Sequence, residues 1–87
     1  MSKNIVIPET VLKRINGLPR EIRVKFWKKF ELLLENPAQP SLRNEKLRGT
    51  EDDWVFSITM NYRATYFRDS NNIVITMVGT HKDVLGM

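Results

Sequence analysis

Residues 54–68 read Trp54-Val-Phe-Ser-Ile-Thr-Met-Asn-Tyr-Arg-Ala-Thr-Tyr-Phe-Arg68, and their alternation decides the fold class. Trp54, Phe56, Ile58 and Met60 fall on every second position, the period of a strand with one buried face. Asn61 interrupts the pattern as a good turn residue. After it, Tyr62, Ala64 and Tyr66 take one side of a second strand, Tyr62–Arg68, while Arg63, Thr65 and Phe67 take the other. Asp69-Ser-Asn-Asn72 spells a hairpin turn. Ile73–Val78 is an almost unbroken apolar run, the pattern of a central strand covered on both faces.

Towards the N-terminus the period changes. Lys3–Ile7 is short and β-branched and reads as a strand. Pro8 suits the first turn of a short helix running to about Asn16, where Gly17 is placed to end it with a positive φ. Pro19 opens a longer helix to about Glu35. Its apolar stripe is Ile22, Phe26, Phe30, Leu33 and Leu34, widened by Trp27. Pro37 and Pro40 stop that helix. Residues 37–53 form a polar connector, tacked to the core by Leu42 and Leu47; its length is unusual in so small a domain. The order strand-helix-helix-strand-strand-strand predicts an α+β domain. An N-terminal strand and a helical hairpin pack on a mostly antiparallel, four-stranded sheet.

A chain of 87 residues suits a single domain, 1–87. With 41% hydrophobic and 28% charged residues it is globular rather than disordered. Fourteen Lys and Arg against ten Asp and Glu leave a net charge of +4. That excess suits a polyanionic partner, nucleic acid first and an acidic protein second; general solubility is the plain alternative. The absence of cysteine excludes disulfides and thiolate metal sites. One histidine and scattered carboxylates argue against a dedicated metal site. The N-terminus lacks the apolar segment of a signal peptide, and no apolar run approaches the ~20 residues needed to cross a bilayer. A cytoplasmic protein without a membrane partner is expected.

Two side chains stand out chemically. Arg63 lies opposite Tyr62, Ala64 and Tyr66. If those three pack on the helices, Arg63 projects from the open face with Thr65 and Phe67 near it. A guanidinium matches phosphate oxygens bidentately, and Phe67 could stack an unpaired base. The alternative is a strand arginine paired with a carboxylate such as Glu51 or Asp53. His81, the single histidine, follows the last strand in the turn Gly79-Thr-His-Lys-Asp83. With an ordinary pKa of ~6.5 an imidazole both donates and accepts protons near neutrality. Cleavage of RNA by its own 2′-hydroxyl needs that proton transfer, and a cation for the growing phosphate charge. Lys82 could hold phosphate and Asp83 could orient the imidazole; a turn histidine without chemistry is the alternative. Lys46 and Arg48, two residues apart before Gly49, point the same way if extended and could reach a phosphate; solvated loop charge is the alternative.

Leu47-Arg-Gly, the Trp54 strand and Tyr62-Arg-Ala-Thr-Tyr66, followed by Val78-Gly-Thr-His-Lys-Asp-Val-Leu85, together resemble the RelE/ParE superfamily of bacterial toxins from toxin–antitoxin pairs. The helical hairpin fits as well, so the likeness covers nearly the whole chain. The resemblance implies a compact α+β toxin. It is often a ribosome-dependent endoribonuclease that cuts translated mRNA, without metal or organic cofactor. Carried over, it gives Arg63 the scissile phosphate, His81 the proton transfer, and Lys46 and Arg48 contacts to RNA. The implied partners are a cognate antitoxin, the ribosome and mRNA. Two positions depart from the family pattern. Leu85 stands where relatives often carry an aromatic, and Ser57 where they often carry a basic residue. The ParE-like alternative, inhibition of DNA gyrase without RNA cleavage, therefore stays open.

Overall fold

The computed structural model describes residues 4–47 and 52–85. Strand β1 (Asn4–Val6) leads into helices α1 (Glu9–Asn16) and α2 (Arg20–Glu35). A 3-10 turn at Pro40–Leu42 precedes strands β2 (Glu45–Lys46), β3 (Asp53–Ser57), β4 (Tyr62–Arg68) and β5 (Asn72–Thr80), and α3 (His81–Leu85) follows. The sheet runs in the order β1-β5-β4-β3-β2. β1 is parallel to β5, and the other neighbours are antiparallel. The fold is therefore α+β, with the helical hairpin packed on one sheet face. Among the described residues, no helix is long and apolar enough to cross a membrane.

Pro8 and Pro19 sit just before the first turns of α1 and α2, in extended conformations with ψ of 149° and 143°. No helical N–H is lost there. α1 ends at Gly17, but not through positive φ: Gly17 has φ −86°. Its N–H donates to the carbonyls of both Lys13 (3.0 Å) and Arg14 (3.1 Å). That bond pattern tightens the last turn and ends the helix within the right-handed region.

The core forms where the apolar periods meet. Phe26, Phe30 and Leu33 of α2 and Val11 and Ile15 of α1 are buried against Phe56, Ala64, Tyr66 and Ile75 of the sheet. Phe26 stacks parallel to Phe30 (centroids 5.9 Å apart) and lies 6.1 Å from Phe56, which lies 5.9 Å from Tyr66. These separations are in the favourable range for ring pairs, and the aromatic run fastens helix to sheet. Trp27 and Leu34, expected on the stripe, are 37% and 40% exposed. Each is one residue, or about 100° of helix rotation, from the buried Phe26 or Leu33. Trp27 touches the stripe edge-on at Phe26 and Phe30.

The sheet has five strands rather than four. The extra one, β2, is two residues long, too short to carry a readable period. Leu42 is fully buried and fixes the connector, and Leu47 is half-buried. β3 stops at Ser57 instead of reaching Met60, which is 83% exposed. There the N–H groups of Ile58 and Thr59 both donate to the Tyr62 carbonyl, closing a wide turn.

β5 is not covered on both faces. Its ladder with β4 steps from Thr65↔Met77 to Tyr66↔Ile75, leaving Thr76 as an extra residue. This bulge resets the alternation. Ile73, Ile75 and Val78 all reach the core, while Thr76 is exposed and Val74 and Met77 are half-buried on the face opposite α1 and α2. The almost unbroken apolar run thus records a bulge. The Thr65 and Thr76 hydroxyls meet across it at 2.8 Å.

Candidate functional site

Arg63 pairs with Ser57 on one side and Gly79 on the other. Ala64 and Tyr66 are buried under α1 and α2, so alternation puts Arg63 on the sheet face opposite those two helices, as the sequence pattern requires. It is half-buried. Its Nη1 donates to the carbonyls of Thr59, Met60 (2.9 Å) and Tyr62 (3.1 Å) in the β3–β4 turn. Among the described residues these are its hydrogen bonds, and none pairs it with a carboxylate. Among the described residues nothing takes the Nε and Nη2 donors, and such a guanidinium edge can grip a phosphate bidentately.

His81 begins α3 instead of lying in a plain turn. Asp83 N–H donates to the Thr80 hydroxyl (3.2 Å), and Thr80 N–H donates to Asp83 Oδ2 (3.4 Å). This reciprocal pair is a capping box. His81 N–H donates to the Asn61 carbonyl at 2.9 Å. His81 is therefore tied through its backbone to the same β3–β4 turn that holds the Arg63 guanidinium. It is half-buried rather than sealed beneath the helices, and Lys82 beside it is exposed. The Asp83 carboxylate, expected to orient the imidazole, is engaged with Thr80 N–H; its bonds shape the helix start.

The other candidates lie elsewhere. Phe67 shares Arg63's face but sits four residues along β4, about 13 Å away at strand spacing, opposite Asp53 and Val74. Lys46 pairs with Trp54, which packs on the core. It therefore lies on the helix side, across the sheet from Arg63. Arg48 lies outside the described residues. Near Lys46, Arg68 stacks over the Trp54 ring at 4.1 Å, an arrangement favoured by the ring quadrupole. Among the described residues no three His, Cys, Asp or Glu side chains gather as metal ligands.

No protein-family model matches the sequence, and no curated protein matches it either. Solved structures do. The chain superposes on the isolated E. coli RelE toxin with a TM-score of 0.72 at 27% identity, covering 91% of this chain and 84% of that one. This protein has a RelE-like toxin fold. The same RelE-like architecture recurs in the intact E. coli RelBE toxin–antitoxin complex, at 26% identity and TM-score 0.71, covering 91% of this chain and 96% of that one. It recurs also in the archaeal RelE–RelB complex from Pyrococcus horikoshii OT3, at 22% identity and TM-score 0.73, covering 92% and 96%.

The sequence marks a turn at Asn61, but not the bonds that hold it. Ser57 Oγ donates to the Thr59 carbonyl (3.0 Å), and Thr59 Oγ1 accepts from the N–H groups of Asn61 (3.3 Å) and Tyr62 (3.2 Å). The available signal was a threonine two residues before a turn asparagine, since threonine hydroxyls stabilise turns in this way. In this RelE-like sheet Ser57 is also Arg63's direct neighbour, so the position beside the guanidinium carries a hydroxyl and no charge.

Proposed function

We propose that this protein is the toxin of a toxin–antitoxin pair and acts in the cytoplasm as a metal-independent endoribonuclease on mRNA held in the ribosome. One observation supports it most: in a RelE-like fold, the Arg63 guanidinium and the His81 backbone N–H bond to carbonyls of the same turn, on the sheet side opposite α1 and α2. Arg63 would bind the scissile phosphate and offset the charge that grows on its non-bridging oxygens. His81 would exchange a proton with the reacting oxygens. The 2′-hydroxyl loses its proton and attacks phosphorus, the bond to the 5′-oxygen breaks, and that oxygen takes up a proton. The products are a 2′,3′-cyclic phosphate and a 5′-hydroxyl. With one imidazole on the chain, positioning of the 2′-oxygen falls to the ribosome. Lys82, exposed beside His81, would meet a flanking phosphate. The antitoxin is the expected protein partner, as in the RelBE complex.

Expression in bacteria followed by mapping of mRNA 5′ ends tests this reading. New ends phased with codons are expected in the wild type and not in Arg63→Ala or His81→Ala. Undiminished growth arrest in both variants would remove the site. The uncharged Ser57 beside Arg63 favours one competing reading, gyrase inhibition. Trapped double-strand DNA breaks with intact mRNA would establish it.

A further inference from the structure

Four consecutive turn carbonyls serve the two candidate catalytic residues. Those of Thr59, Met60 and Tyr62 accept from Arg63 Nη1, and that of Asn61 accepts from His81 N–H. Carbonyl groups in a wide turn aim in a common direction only when the turn itself is held. The bonds that hold it converge on one residue. Thr59 Oγ1 accepts from the N–H groups of both Asn61 and Tyr62. Its N–H donates to the Tyr62 carbonyl, and its own carbonyl takes the Ser57 hydroxyl as well as Arg63.

We infer that Thr59 is the positioning residue of the site: its hydroxyl locks the β3–β4 turn into a cradle that fixes the Arg63 guanidinium and the start of α3 relative to each other. This rests on the functional reading above and deepens it. A guanidinium held through Nη1 keeps its opposite edge aimed in one direction, so phosphate meets a preorganised pair of donors. A valine at 59 keeps the shape of threonine but has no acceptor for the two turn N–H groups, which leaves both the turn and the guanidinium free to drift. Displacement of about 1 Å is enough to cost roughly a hundredfold in rate.

The test compares wild type, Thr59→Val and Thr59→Ser. Nitrogen-15 NMR of the arginine side chains, assigned through Arg63→Lys, reads the cradle without any RNA. Distinct, slowly rotating Nη signals for Arg63 are expected in wild type and Thr59→Ser, and averaged signals in Thr59→Val. Cleavage of mRNA on programmed ribosomes reads the consequence. A fall in kcat of about tenfold to a hundredfold in Thr59→Val is expected, with KM little changed, thermal midpoints close to wild type, and recovery in Thr59→Ser. Wild-type Nη signals and wild-type kcat in Thr59→Val would overturn the inference, as would equal losses in both variants. If wild type itself cuts no mRNA, the functional reading falls. The NMR comparison then decides alone whether Thr59 holds the guanidinium.

Discussion

Arg63 faces Gly79 across the β4–β5 ladder, and the side chain Gly79 lacks would occupy the space into which Asp83 folds to cap α3. A Cβ at position 79 would stand 3.1 Å from Asp83 Cβ and 3.2 Å from Asp83 Oδ2. The strand position opposite the guanidinium thus also permits the helix that begins with the imidazole.

Gly79→Ala is therefore expected to open the Thr80–Asp83 capping box while leaving the sheet paired. Loss of such a cap costs about 0.5–2 kcal/mol locally. Amide hydrogen exchange should accelerate in α3 and stay unchanged in β4, and cleavage should fall. Unchanged exchange across α3 would show that Asp83 can yield without cost.

Arg63→Lys separates charge from geometry. Lysine keeps the cation but cannot hold turn carbonyls with one nitrogen while offering a planar pair of donors with the others. Cleavage by Arg63→Lys should fall nearly as far as in Arg63→Ala, roughly a hundredfold or more below wild type. Circular dichroism should match wild type in both variants. Activity in Arg63→Lys within a few-fold of wild type would mean that charge alone suffices.

The strand alternation that put Arg63 opposite Ala64 and Tyr66 was legible because one-face burial writes a period of two into the residues themselves. The β5 bulge was not, because an extra residue on one strand shows only against its partner. β2 was hidden for the same reason: its two residues are a strand only by pairing with Trp54 and Val55. At the site, side-chain identity pointed to Arg63 and His81, but the turn carbonyls that join them belong to the backbone and leave no residue signature. Where Lys46 and Phe67 lie relative to Arg63 was likewise not legible from spacing along the chain. Pairing with Trp54 puts Lys46 on the helix side, and strand rise carries Phe67 away from Arg63.

Gly17 offers a stability test independent of function. It has right-handed φ, and a Cβ there would meet only the carbonyl oxygens of Arg14 and Lys13, both at 3.5 Å. Gly17→Ala should therefore raise stability by about 0.4–1 kcal/mol, chiefly by restricting the unfolded chain. A denaturant midpoint at or below wild type, at unchanged slope, would contradict this.

Tyr66 sets a pH limit on the fold. Burial raises its pKa above the ordinary value of 10.0; the hydrogen bond to Asn44 and the nearby Arg68 charge pull it down by less. Its hydroxyl donates to Asn44 Oδ1 at 2.7 Å, tying β4 to the connector. The folded state therefore holds the phenolic proton more tightly than the unfolded chain does. The resulting stability is fully present below the unfolded pKa of about 10 and is lost as pH rises through the folded value. Tyr66→Phe should lower stability by about 1 kcal/mol at neutral pH through the lost hydrogen bond and the Asn44 carbonyl left without its donor. It should also flatten the decline above pH 10 relative to wild type. Urea midpoints measured from pH 7 to pH 11 give both quantities; parallel curves for the two proteins would show that Tyr66 ionises equally well folded and unfolded.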